Sequence, residues 1–236
     1  MTTDMREEIR LIDLTTETQF RDALALQKSI WAFEDDTDLL PARFFVVAVK
    51  VGGQAFGAYA GDKMVAFLLA IPGLKPDGHP YLHSHMLGVL PEYRNSGVGR
   101  RLKMRQRDDA LARGIDLIEW TFDPLELKNA WFNLEGLGAI IRRYVRNQYG
   151  VSSSVLQGGL PTDRCVAEWW IRRERVRPDV VERVRATPVR SQALQEELAT
   201  RFEACFAKGL TAFGVERTGD SIDYLFGVVS FEGVPE

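Results

Sequence analysis

Hydrophobic and polar positions along the chain follow two periods, which predict a mixture of strands and helices. Glu8–Leu14 has the alternating composition of a first strand. A capping box, Thr16–Gln19, then begins a helix on which Phe20, Leu24 and Trp31 fall on one line. Such a stripe is typical of a helix that faces a hydrophobic core.

The same patterns continue to about residue 171. Around Phe44–Val47, between Pro41 and Gly52, they fit a second helix or a buried strand. The other predicted elements are a short helix, Leu127–Leu137, and strands Gln54–Tyr59, Met64–Ile71, Tyr81–Leu90, Asp116–Asp123, Ala139–Val145 and Cys165–Ile171. Two loops are predicted as well: Pro72–Pro80, and a polar loop between the last two strands that contains Ser152–Ser154 and Gly158-Gly159.

Composition changes after residue 171. The tail contains a predicted linker, an amphipathic helix and a small hairpin: Arg172–Arg190, Ser191–Ala207, and Thr211–Val215 with Tyr224–Val229. We therefore predict one domain over 1–171 and an extension over 172–236. The sequence leaves three roles open for the extension: covering the core, acting as a lid over the site, or forming a homodimer interface.

The most informative stretch is Met86–Gly114, which reads as a strand, a turn and a helix. Its turn, Arg94–Gly99, contains two glycines. The first turn of a helix leaves backbone N–H groups without partners, and glycine lets a ligand approach them closely. Six basic residues and no acidic one occur between Arg94 and Arg107. The stretch therefore predicts a site for phosphate or pyrophosphate.

Two common phosphate-binding motifs are excluded. A Walker A loop ends in Gly-Lys-Ser/Thr, whereas Gly99 is followed by Arg100-Arg101. A Rossmann loop needs Gly-x-Gly-x-x-Gly, whereas the spacing here is Arg-x-x-Gly-x-Gly. An ordinary strand–turn–helix with a solvated basic face is the alternative interpretation.

Composition narrows the class of protein. The chain has 236 residues, of which 45% are hydrophobic and 27% charged, and this predicts a packed core. Its apolar runs are shorter than the roughly 20 residues of a membrane-spanning helix, and we expect no membrane partner. Cys165 and Cys205 lack metal-type spacing, so we predict no metal site and a cytoplasmic location. The net charge of −3 argues against a nucleic-acid-binding protein.

Leu87–Gly114 resembles the acyl-coenzyme A signature of the GNAT acetyltransferase superfamily. That signature is Gln/Arg-x-x-Gly-x-Gly/Ala between a strand and a basic helix, and Arg94, Gly97 and Gly99 fill its three fixed positions. Asn129-Ala130, followed by Leu137-Gly138, is similar to the second hallmark of the superfamily. The resemblance covers about residues 8–171. It implies an α/β (α+β) fold, with a mixed, mostly antiparallel sheet flanked by helices and, here, a C-terminal helix-hairpin extension.

The resemblance also implies how acetyl-CoA, or another acyl-CoA, would be held. The N–H groups of Val89 and Leu90, on a strand that splays from its neighbour, would contact the pantetheine arm and the thioester. Asn129 would contact the arm from the other side. The pyrophosphate would lie on the turn formed by Arg94, Asn95, Ser96, Gly97, Val98, Gly99 and Arg100.

Candidate general bases occur on two predicted strands. His83 and His85 are two residues apart and therefore share a face of one strand. Some branches of the superfamily keep a catalytic Glu near the position of His83. Glu119 and Asp123 share a face of the next strand. For each of these four groups the alternative is structural: a hydrogen-bonded histidine, an edge charge or a helix cap.

One position departs from the superfamily. Many members keep a Tyr on the second cofactor helix, where it protonates the departing thiolate, and Leu134 occupies that position here. Tyr144 and Tyr149 lie on the following hairpin, so the residue that protonates the departing thiolate is left unassigned.

The sequence as a whole predicts an acyl-CoA-dependent N-acyltransferase. We expect direct transfer of an acetyl group from the thioester to a small-molecule or peptide amine. The alternatives are a non-catalytic acyl-CoA-binding or sensing protein on the same scaffold, and a nucleic-acid-associated protein that uses the basic helix. The acidic net charge disfavours the second of these.

Overall fold

The structure, a computed structural model, describes residues 8–33, 35, 38–150, 154, 157–175 and 177–230. Ser152 and Ser153 of the predicted polar loop lie outside these ranges. The chain forms two compact units. In the described ranges, the first unit contains the elements β1 to β4 and α1 to α3, and the second contains β5 to β10, α4 and α5.

The first unit is a four-stranded antiparallel sheet with three helices. Its elements are β1 (Ile9–Asp13), α1 (Glu17–Trp31), α2 (Ala42–Lys50), β2 (Gln54–Ala60), β3 (Lys63–Leu74), β4 (Pro80–Val89) and α3 (Val98–Ala112). The strands pair in the order β1-β2-β3-β4. The capping box at the start of α1 is confirmed, since Thr16 accepts a hydrogen bond from the Gln19 N–H and the Gln19 side chain accepts one from the Thr16 N–H.

Two expectations for this unit were resolved or corrected. The Phe44–Val47 stretch is helical, within α2, rather than a strand. The loop predicted from Pro72 to Pro80 is shorter, because β3 continues to Leu74 and Pro72 pairs with Leu82 of β4. Turn-type residues inside a paired strand therefore misled the prediction.

Helices cover both faces of β4. His85 lies against Phe44 of α2, whereas its neighbour Ser84 is hydrogen-bonded to Lys103 of α3. Because successive strand residues point to opposite faces, α2 and α3 lie on opposite sides of this strand. The core of the unit is made by buried residues such as Phe45 and Phe67.

The second unit is an antiparallel sheet in the order β5-β7-β6-β9-β10-β8, with two helices. Its elements are β5 (Leu117–Phe122), α4 (Leu127–Trp131), β6 (Ile140–Val145), β7 (Arg164–Trp170), β8 (Glu182–Ala186), α5 (Gln192–Ala207), β9 (Thr211–Thr218) and β10 (Ser221–Gly227). The predicted α/β class with mostly antiparallel strands is confirmed.

The predicted linker Arg172–Arg190 was wrong in part, since it contains β8, which pairs along its length with β10. The predicted hairpin is longer than expected, and its first strand, β9, pairs with β6 at Ile141 and Ala212. The tail therefore shares a sheet with the last strands of the predicted domain.

The core of the second unit is strongly aromatic. The fully buried ring of Phe202 on α5 has the rings of Tyr144, Tyr224 and Phe226 around it. Cys165 is buried in the same unit, and burial raises the pKa of its thiol well above the usual value. No helix in the described ranges is long and apolar enough to cross a membrane.

Candidate active site

The predicted phosphate-binding turn lies between β4 and α3. A single turn of 3-10 helix, Pro91–Tyr93, follows β4. Asn95 and Gly97 then adopt φ angles of 62° and 84°, which few other residue types tolerate. The Ser96 hydroxyl donates to the Tyr93 carbonyl at 2.7 Å. These local contacts set the direction in which α3 begins.

The N-terminus of α3 is open. Gly97 is the N-cap residue and supplies no side-chain cap. A Cβ atom on Gly97 would meet nothing within 4 Å, and one on Gly99 would make ordinary contacts with the side chains of Val89, at 3.6 Å, and Leu87, at 4.0 Å. The 15-residue helix directs its first N–H groups and the positive end of its dipole into this space. The open helix start leaves room for an anion, and the pyrophosphate site stays a prediction.

The basic side chains of α3 do not act together at this turn. Arg101 donates to the Ile9 carbonyl, and Arg105 forms an ion pair with Asp13 of β1. Lys103 is buried, and its Nζ donates to Ser84 and Gln106. The exposed residues Arg94 and Arg100 belong to the turn and to the first turn of α3. The local excess of positive charge is therefore smaller there than the sequence suggests.

The backbone of β4 distinguishes the two predicted contacts to the pantetheine arm. The Leu90 N–H donates to the Val65 carbonyl at 2.9 Å, so it is not free as expected. Val89 pairs with Ala66, and hydrogen-bonded and non-bonded pairs alternate in an antiparallel ladder. The Val89 N–H therefore points away from β3, as a contact to a bound molecule requires.

His83 and His85 lie on one face of β4, as predicted. Their ring centroids are 5.9 Å apart, and the ring of His85 is 6.4 Å from that of Phe44. Burial lowers the pKa of His85 below its usual value. At neutral pH, His85 is therefore in the uncharged form that a general base needs.

Glu119 is a buried carboxylate with two cationic partners. It forms ion pairs with Lys75 and, at 2.8 Å, with Arg143. Its cross-strand neighbour on β7 is Glu168, which is buried as well and pairs with Arg142 at 2.7 Å. To act as a base, the Glu119 carboxylate would have to give up ion pairs with these partners.

Both carboxylate oxygens of Asp123, at the end of β5, have bonding partners. One carboxylate oxygen accepts the Leu125 N–H at 2.8 Å, and the other forms an ion pair with Arg190. The side chain thus organises the loop that leads into α4. Among the described residues, no group of three His, Cys, Asp or Glu side chains is placed to hold a metal ion.

Asn129 lies exposed on α4, whereas Leu134 is fully buried in the π-helical turn Phe132–Gly136 that follows. Of the two nearby tyrosines, Tyr144 donates to Asp163, and burial and this carboxylate raise its pKa. The hydroxyl of Tyr149 lies 2.8 Å from Thr121 Oγ1 on β5. The sequence showed both tyrosines but gave no signal for this contact between Tyr149 and β5.

The comparison with protein families is decisive. Residues 12–131, just over half of the chain, match the acetyltransferase (GNAT) family. The chain belongs to the GNAT family. It is an N-acetyltransferase, and acetyl-CoA is its acyl donor. The matched range contains every predicted donor-binding and catalytic position.

Solved structures show the same fold as this GNAT protein at low sequence identity. The ribosomal-protein-S18-alanine N-acetyltransferase from Escherichia coli has a TM-score of 0.54 and 20% identity, over 70% of this chain and 94% of its own. Arabidopsis thaliana Naa50, in complex with the bisubstrate analogue CoA-Ac-MVNAL, has a TM-score of 0.53 and 18% identity, over 68% and 97%. No curated protein matches the sequence of this GNAT protein.

Proposed function

We propose that this GNAT protein transfers an acetyl group by direct attack of an amine on the thioester. The amine nitrogen forms the new C–N bond as the C–S bond breaks, the nitrogen loses its proton to a base, and the thiolate leaves. The open, uncapped start of α3 at Gly97 carries this proposal. One structure with the same fold is a ribosomal-protein-S18-alanine N-acetyltransferase, and another carries the bisubstrate analogue CoA-Ac-MVNAL. Both support an amine or peptide acceptor.

The residues of the first unit would hold the donor in two places. The first-turn N–H groups of α3, with Arg94 and Arg100, would bind the pyrophosphate. The Val89 N–H would bind the pantetheine arm. The resemblance to the superfamily implies that Asn129 is a donor contact as well. The homodimer, which the sequence left as one of three roles for the extension, and the cytoplasmic location predicted from the sequence remain proposals.

A thiol-release assay tests the function. Acetyl-CoA should raise the midpoint of thermal unfolding, because a ligand that binds only the folded state stabilises it. Free coenzyme A should then appear only when an acceptor amine is added, and mass spectrometry should find the acetylated amine. Stabilisation without thiol release across a panel of small amines and peptide N-termini would contradict the proposal.

We propose His85 as the general base, with His83 beside it. Since burial lowers its pKa below that of an ordinary histidine, His85 is uncharged at neutral pH and becomes protonated only at a more acidic pH than an ordinary histidine does. The pH profile of kcat/KM should therefore have an acid limb, on which kcat/KM falls as the pH is lowered. His85→Gln should lower kcat/KM by about 10²- to 10⁴-fold and remove this acid limb. The pH profile of kcat/KM checks both results.

The matched control is His79→Gln. His79 lies 2.8 Å from Asp116, and its ring centroid is 5.6 Å from that of Trp170, so its side chain has contacts of its own. Its replacement should leave the acid limb in place. An acid limb that moves with the pKa of the acceptor, and survives His85→Gln, would assign it to the amine and rule out His85.

A further inference from the structure

A cavity of about 200 Å³ lies in the second unit, between β8, α5 and the loop that joins β5 to α4. A cavity needs roughly 10–15 Å³ to hold one water molecule, so this one admits a small organic molecule. It is formed in part by the C-terminal extension, which lies outside the matched residues 12–131. Nothing in the transfer reaction described above uses it.

The floor of the cavity is apolar. Leu125, from the loop after β5, is 5% exposed, and Leu198 of α5 is 3% exposed. Leu194 lies one turn earlier on α5 and also lines the space. A branched aliphatic group would therefore be removed from water on entering, which is favourable in proportion to its area.

Two guanidinium groups on the rim are fixed in place but incompletely bonded. Arg185 donates through Nε and Nη2 to Asp223, both at 2.8 Å. Arg201 donates through Nη2 to the Arg183 carbonyl at 2.6 Å. Within the described part of the chain, Arg185 Nη1 and the Nε and Nη1 of Arg201 have no hydrogen-bond partner. These N–H groups form a ready site for a carboxylate.

A single carboxylate, Glu197, completes the rim. It lies one helical turn before Arg201, a spacing at which ion pairs commonly form, yet the two residues form none here. The Glu197 side chain has no ion pair or hydrogen bond with any other described residue. The rim thus presents two positive groups and one negative group above a floor of leucines.

We propose that this cavity binds a small α-amino acid with a branched aliphatic side chain. The ligand carboxylate lies against Arg185 and Arg201, its ammonium group against Glu197, and its side chain against Leu125, Leu194 and Leu198. Each part of such a ligand has a partner of matching chemistry. The proposal concerns binding and does not depend on the acetyl-transfer reaction.

Titration calorimetry of the full chain without acetyl-CoA tests the proposal. Three probes separate the contacts: L-leucine, 4-methylpentanoate, which lacks the ammonium group, and 3-methylbutylamine, which lacks the carboxylate. We expect L-leucine to bind at least about tenfold more tightly than either fragment, because hydrogen bonds to charged groups contribute that much. Glu197→Gln should remove the preference for L-leucine over 4-methylpentanoate.

Two tryptophan variants locate the binding. Leu194→Trp fills the cavity and should abolish binding of L-leucine, whereas Ala193→Trp puts the same bulk on an exposed neighbouring position of α5 and should not. Circular dichroism establishes that both variants are folded. Absence of L-leucine binding to the wild-type chain, or equal binding to the two tryptophan variants, would overturn the proposal.

Discussion

Replacing Gly97 with valine is expected to lower the affinity for acetyl-CoA by at least about 100-fold, which corresponds to about 2.7 kcal/mol. A Cβ at this position would meet open space in the protein, so the new side chain collides with no neighbour. Valine would instead stand in the space that the pyrophosphate is proposed to occupy, and it would resist the φ of 84° that aims the first N–H groups of α3. Equilibrium binding of acetyl-CoA measures the loss.

Gly114→Val is the control for Gly97→Val, because it introduces the same backbone strain away from the proposed donor site. Gly114 follows α3 at its other end, has a φ of 78° and likewise has nothing within 4 Å of an added Cβ. Both variants should lose about 1–2 kcal/mol of folding free energy, because a residue with a Cβ is strained at positive φ. Only Gly97→Val should lose affinity for acetyl-CoA. An unchanged dissociation constant for Gly97→Val would remove the turn from the donor site.

Replacing Phe202 with alanine is expected to lower the free energy of unfolding by about 3–5 kcal/mol, the usual cost of emptying a buried aromatic site. The ring is fully buried, with centroids of Tyr224 and Phe226 at 4.9 and 5.1 Å in edge-to-face arrangements. It also contacts Tyr144 of β6, so one side chain joins the extension to the predicted domain. Denaturant titration measures the loss.

Phe206→Ala is the control for this prediction. Phe206 lies one turn further along α5, is only half-buried and touches Phe226 as well. Phe206→Ala should lower the free energy of unfolding by clearly less than Phe202→Ala does. A single transition that shifts as a whole in Phe202→Ala would show that residues 172–236 unfold together with the strands before them. A separate early transition, with the rest unchanged, would instead support the boundary predicted at residue 171.

Local sequence was sufficient to predict the strand, turn and helix around Gly97. Its signals are a glycine that needs positive φ, an Asn that tolerates it and a proline that ends the strand, and each acts within a few residues. The strand β8 was missed because its arginines suggested a linker. Its buried residues, Val184 and Ala186, alternate with exposed arginines, and this period of two was present in the sequence.

The environments of the candidate bases could not be predicted in the same way. Glu119 is paired with Lys75, 44 positions away, and Asp123 with Arg190, 67 positions away. No periodicity along the chain reports which cation will fold against a given carboxylate. Similarly, the basic residues of α3 form one run in the sequence, but the helical twist sends Arg105 towards β1 and Lys103 into the core.

The position of Lys103 has a chemical consequence for an enzyme that acetylates amines. Burial lowers the pKa of this side chain well below its usual value, and an amine without its proton is a nucleophile. Lys103 lies on the helix proposed to hold the donor. Its side chain is 2% exposed, and its Nζ donates to Ser84 and Gln106. Because packing against β4 keeps this amine out of solvent, we expect Lys103 to stay unacetylated when the enzyme is incubated with acetyl-CoA.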